Sequence, residues 1–117
     1  MKKIFHLSSC STCQRILQEL SPDSETVLQD IKVQNIDAVT LDWLKEKAGS
    51  YEALFSKRAI KYRSHGLNEQ ALSEADYREW LLKEYTFLKR PVIVHGENVF
   101  VGNAKKEVEA AKAVFQS

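Results

Sequence analysis

A short apolar run, Lys3-Ile4-Phe5-His6-Leu7, is followed after two serines by Cys10-Ser11-Thr12-Cys13 and then by Gln14-Arg15-Ile16-Leu17-Gln18-Glu19-Leu20. The first run reads as a strand of about Lys3 to Leu7, and the last as a helix of about Thr12 to Leu20. A fold that accepts this order must end a strand, turn at once and start a helix with a cysteine at its N-terminus. Both cysteines of the chain lie in this one C-x-x-C unit. A helix N-terminus presents unpaired backbone N–H groups and a partial positive charge. That field favours thiolate over thiol, so Cys10 is expected to have a lowered pKa and to be the nucleophile. Cys13, one turn inside the helix, is expected within reach of Cys10, where it can attack a mixed disulfide formed there. Other readings carry less. Two cysteines, even with His6 as a third ligand, leave a tetrahedral zinc site incomplete, so no metal is expected. A structural disulfide over so short a loop constrains the unfolded chain little. Two buried, inert thiols remain the bland alternative.

The rest of the chain extends this beginning. Ser21-Pro22-Asp23-Ser24 reads as a turn and Thr26 to Ile31 as a second strand. Strand, helix and strand together make a β-α-β unit with parallel strands and a right-handed crossover. The middle is helical. Thr40 is the expected N-cap of a helix over Leu41 to Lys47, ended by Gly49, and Ser73-Glu74-Ala75-Asp76 resembles a capping box for a helix carrying Tyr77, Trp80 and Leu81. Trp43, Trp80 and Phe55 read as core aromatics. Val92-Ile93-Val94 and Val99-Phe100-Val101 flank His95-Gly96-Glu97-Asn98, a hairpin with a short glycine-containing loop. Ala104 to Phe115 reads as a final amphipathic helix buried along Val108, Ala111, Val114 and Phe115. The order is β-α-β, helices, β-β-α. The expected fold is therefore α/β and thioredoxin-like: a mixed four-stranded sheet flanked by helices. A single domain over residues 1–117 is expected, with a helical insertion at about 38–87.

A length of 117 residues, with 44% hydrophobic and 28% charged residues, fits one soluble domain with a sizeable core. A net charge of +1 gives no reason to expect direct nucleic-acid binding, and Lys105-Lys106 is too short for a basic patch. No apolar run approaches the ~20 residues of a membrane span, and Met1-Lys2-Lys3-Ile4-Phe5 lacks the apolar stretch of a signal peptide. A cytoplasmic, reducing compartment is the expectation, and there a C-x-x-C is more plausibly catalytic or sensing than structural.

Four segments, taken in order and spacing, carry a resemblance over essentially the whole chain. They are His6-x-x-x-Cys10-x-x-Cys13, Leu54-Phe55-Ser56-Lys57-Arg58-x-x-x-Tyr62-Arg63, Ser73-Glu74-Ala75-Asp76, and Leu88-Lys89-Arg90-Pro91-Val92-Ile93-Val94 running into Val101-Gly102. The chain resembles the arsenate reductase (ArsC-like) family of the thioredoxin-like superfamily, which also contains Spx-type regulators. The resemblance implies that Cys10 is the nucleophile. It implies that Arg58 and Arg90 hold an oxyanion and the thiolate, a role that suits the always-charged guanidinium fork. Pro91 matches the proline that is cis in such folds and faces the active cysteine, and His6 matches a histidine four residues before the nucleophile. Ser11 and Thr12, with Pro91 and His6, are the expected substrate-side positions.

The implied activity is that of an arsenate reductase-like thiol oxidoreductase acting on an oxyanion or a mixed disulfide. No metal or flavin is implied. The implied co-substrate is a thiol reductant: glutathione, glutaredoxin or thioredoxin. The arsenate-reducing pattern has a third arginine just beyond the hairpin, where this sequence reads Val101-Gly102-Asn103-Ala104-Lys105-Lys106. A C-x-x-C at the active position is the arrangement of Spx-like members. The second implied function is accordingly a redox-sensing regulator that binds the RNA polymerase α subunit.

Overall fold

Alternating apolar residues in short runs need a sheet, and four such runs form one here. The computed structural model describes residues 1–116. Strands β1 (Lys2–His6), β2 (Val27–Asp30), β3 (Val92–His95) and β4 (Asn98–Val101) lie in the order β2-β1-β3-β4. β1 runs parallel to β2 and antiparallel to β3, and β3 is antiparallel to β4. The expected mixed four-stranded α/β architecture is present. Two compact units divide the chain: Met1–Gln34 joined with the chain from Arg90 onward, and Asn35–Lys89.

In the first unit, helix α1 (Ser11–Leu20) and helix α5 (Lys105–Phe115) flank the sheet. Register places Ile4 opposite Ile93 and Ile93 opposite Phe100. Residues paired in this way share a face, so these three make one row across β1, β3 and β4. Ile16 and Leu20 of α1 and Val108 and Ala111 of α5 pack with Ile4 and Ile93, and Leu17, Phe100 and Phe115 border the cluster. Val114 and Phe115 stay half-buried, so the stripe expected on α5 is deepest at Val108 and Ala111. Ile93 is fully buried at the centre of this cluster. Ile93→Val is expected to cost about 0.5–1.5 kcal/mol, the usual loss for one buried methylene. A lower urea midpoint at unchanged m-value would show it.

Local chemistry explains the joints. α1 ends at Ser21, in a left-handed conformation (φ 46°), where Pro22 prevents continuation. The Asp23 carboxylate then accepts from Glu25 N at 3.0 Å and Thr26 Oγ1 at 3.1 Å, and Lys2 Nζ of β1 donates to it at 2.9 Å. The hairpin loop has two residues, Gly96-Glu97, where four were expected. The ladder continues through His95 and Asn98 because Gly96, at φ 63°, supplies the left-handed turn.

The second unit holds the remaining helices: α2 (Ala38–Ala48), α3 (Ile60–Ser64) and α4 (Glu74–Lys83), with 3-10 turns at Glu52–Leu54, Leu67–Glu69 and Tyr85–Phe87. α2 starts three residues earlier than the sequence suggests. Asp37, not Thr40, is its cap, and the Asp37 carboxylate accepts the Thr40 N–H at 2.8 Å. Ser73 and Asp76 do form a capping box for α4, at 3.2 and 2.9 Å. Phe55 is the centre of the aromatic core, with ring centroids 4.7 Å from Phe87, 5.0 Å from Tyr77 and 5.7 Å from Tyr62. Trp80 borders Phe87 at 5.8 Å but is only half-buried, as is Trp43. Among the described residues no helix is long and apolar enough to cross a membrane.

Candidate active site

Cys10 is the N-cap residue of α1, in extended conformation. The first intrahelical bond, Gln14 N to the Cys10 carbonyl, is 3.1 Å. The N–H groups of Ser11, Thr12 and Cys13 therefore precede the helical ladder and face the N-terminal end. No acidic side chain lies in the first turn to offset their positive field. Ser11 is exposed, Thr12 half-buried and Cys13 fully buried.

The two sulfurs share this location and differ in charge preference. Burial opposes charge on Cys10. The Cys13 backbone N–H, the Cys13 thiol and the Arg90 guanidinium all donate to the Cys10 sulfur and together outweigh burial, so the Cys10 pKa falls below the ordinary thiol value. Burial likewise opposes charge on Cys13, and there it prevails. The Leu7 N–H offsets part of it, the neighbouring Cys10 charge adds to it, and the thiol is pushed up to about 11. As pH rises the pair therefore takes its first negative charge on the half-exposed Cys10 sulfur, beside a protonated buried partner.

The other expected residues fall as follows. Arg90 acts on Cys10 directly, and its peptide bond to Pro91 is cis. Pro91 is buried and directly precedes β3. His6 ends β1, opposite Asp30 of β2, and its Nδ1 lies 3.4 Å from Gln14 Nε2. Arg58 belongs to the second unit. It is exposed and, with Lys57, Ala59, Ile60, Arg63 and Ser64, lines an open cleft of about 600 Å³. Lys57 in that cleft is paired with Glu52 at 2.6 Å. Replacing Arg90 by glutamine should raise the Cys10 pKa and slow its alkylation at neutral pH roughly two- to fivefold. A pH series of iodoacetamide rates on the variant would measure both changes.

A model of the ArsC family matches residues 5–111. The chain belongs to the ArsC family. An uncharacterized protein of Haemophilus influenzae is 27% identical over 117 residues, covering 97% of this chain and all of its own length. The structure also resembles the arsenate reductase from Vibrio cholerae, with a TM-score of 0.79 at 17% identity over 94% of this chain and 96% of that one. An arsenate reductase (ArsC) related protein from Brucella melitensis superposes with a TM-score of 0.67 at 24% identity, over 93% of this chain and 92% of that one. These structural likenesses establish the thioredoxin-like fold.

Sequence reading of this ArsC-family chain missed the groups that hold the loop before Cys10. The Leu7 carbonyl accepts Cys10 N at 3.0 Å and Gln14 Nε2 at 3.1 Å. Ser8 bonds to the Asp30 carboxylate, whose pKa is lowered by that contact first and by the Lys32 N–H and the charge of His6 further down, with burial opposing. Only one signal in the sequence bears on them: Gln14 stands one helical turn after Cys10.

Proposed function

We propose that this ArsC-family chain is a thiol–disulfide oxidoreductase, with Cys10 as nucleophile and Cys13 as resolving thiol. The observation that supports this most directly is the opposite displacement of the two thiols, Cys10 down and Cys13 up to about 11. In the first step the Cys10 thiolate attacks one sulfur of a disulfide R–S–S–R′. A Cys10–S–S–R bond forms and R′S⁻ leaves. Cys13 then loses its proton and attacks the Cys10 sulfur, forming Cys10–S–S–Cys13 and releasing RS⁻. Two electrons pass from the protein to the substrate, and an external thiol system (glutathione, glutaredoxin or thioredoxin) returns them. That recycling suits a reducing, cytoplasmic compartment.

A mixed disulfide of glutathione or protein suits the site better than an oxyanion such as arsenate. A resolving thiol stands one turn away, and residues 101–106 contain no arginine. Arg90 stabilises the attacking and leaving thiolates. Arg58 is carried into the reading from the family resemblance, as a holder of substrate charge.

The test is a single-turnover reaction of the reduced protein with glutathione disulfide and, separately, with arsenate, read by mass and by released thiol. Two equivalents of glutathione and a protein lighter by two hydrogens support the reading. A protein left unreacted by both substrates overturns it. In that case, association with the RNA polymerase α subunit that changes between reduced and peroxide-oxidised protein would favour the Spx-like regulator, which uses the same C-x-x-C as a switch.

A further inference from the structure

The turn that presents Cys10 spans Ser8 and Ser9, between the end of β1 and the start of α1. One peptide carbonyl, that of Leu7, receives both the backbone N–H of Cys10 at 3.0 Å and the side-chain Nε2 of Gln14 at 3.1 Å. Gln14 also donates its own backbone N–H to the Cys10 carbonyl at 3.1 Å. The Gln14 amide can face Leu7 only one way, because a carbonyl accepts and never donates, so the group toward it is the NH₂. Its second hydrogen is directed at His6 Nδ1, 3.4 Å away. The Gln14 side chain therefore ties the last residues of β1 to the first turn of α1, across the loop that holds the nucleophile.

The Cys10 sulfur meets its donors only where its backbone sets it at the α1 N-terminus. That backbone is anchored at Leu7. We propose that Gln14 is a positioning residue for the Cys10–Cys13 couple: by clamping the Leu7 carbonyl it holds the Cys10 sulfur against the first-turn N–H groups of α1 and so favours the reduced dithiol over the disulfide. The inference rests on the dithiol–disulfide reading given above. Without the clamp the loop gains freedom and the Cys10 thiolate spends less time against its donors. A reduced form that is held less well makes a weaker oxidant, so the equilibrium moves toward disulfide. A residue that merely supports the fold would destabilise both redox forms and leave that equilibrium in place.

The experiment uses full-length wild type, Gln14→Met and Gln14→Asn. Methionine keeps length and helix propensity but donates nothing. Asparagine keeps the amide but is one methylene too short to reach Leu7, and it serves if the methionine variant does not fold. Each protein is equilibrated in mixtures of glutathione and glutathione disulfide, quenched in acid, alkylated and scored for disulfide by mass, with thermal unfolding recorded for both redox forms. The disulfide-forming equilibrium constant is expected to rise about threefold in either variant. An unchanged constant in a folded variant, whatever its melting temperature, overturns the inference alone. A wild type that forms no Cys10–Cys13 disulfide in any mixture overturns the redox reading and this inference with it.

Discussion

Cys10→Ser is expected to lower the rate of disulfide exchange by at least about a thousandfold, a loss of the size seen when a covalent nucleophile is removed. The thiolate is the only form that attacks a disulfide, and Cys10 is the sulfur whose charge the site stabilises. Cys13 cannot take over. It is fully buried, and its thiol, pushed up to about 11, is almost entirely protonated at neutral pH. Stopped-flow exchange with an aromatic disulfide measures the rate, and alkylation followed by peptide mass mapping identifies the reacting sulfur. Wild type should react first at Cys10, with a rate that levels off below the ordinary thiol pKa. In Cys10→Ser the fast phase should vanish. A fast phase that survived the substitution would remove Cys10 from the role of nucleophile.

The part of this site carried by local pattern was legible in the sequence. A strand of alternating residues, a C-x-x-C and an amphipathic helix are contiguous, so the position of Cys10 at a helix start follows from about twenty residues. The hairpin and the capping box at Ser73 and Asp76 were legible for the same reason, since their partners lie within a few positions of each other. Errors arose where two local signals compete. Asp37 and Thr40 are both good cap residues, and the carboxylate took the cap while Thr40 became the residue whose N–H it accepts. The long-range part was not legible. No pattern in the sequence says that the Asp30 carboxylate will hold Ser8, because the contact depends on β2 lying parallel beside β1 in a particular register. The Gln14 clamp is closer in sequence, but a glutamine on a helix is an ordinary solvated residue until the Leu7 carbonyl is known to face it.

The second large effect separates the two chemical steps. Cys13→Ser should leave the first step intact and stop the second, so that the protein accumulates as a Cys10 mixed disulfide and its release slows by roughly a hundredfold or more. The two steps should also respond differently to pH. Formation of the mixed disulfide follows ionisation of Cys10, whose pKa is lowered, so its rate levels off at a lower pH than that of an ordinary thiol. Release needs the Cys13 thiolate. With a pKa pushed up to about 11 in the reduced protein, the ionised fraction grows about tenfold for each pH unit between 7 and 9. Burial, the largest cause of that shift, persists in the mixed disulfide, while the Cys10 charge that adds to it disappears once its sulfur is bonded. The Cys13 pKa in the intermediate should therefore lie below its value in the reduced protein. Rapid quench of the wild type at several pH values, with the mixed disulfide and the internal disulfide counted by mass, would give both rates. Release that keeps rising with pH after formation has levelled off is the expected result. Release independent of pH would mean that another group deprotonates Cys13 as it attacks.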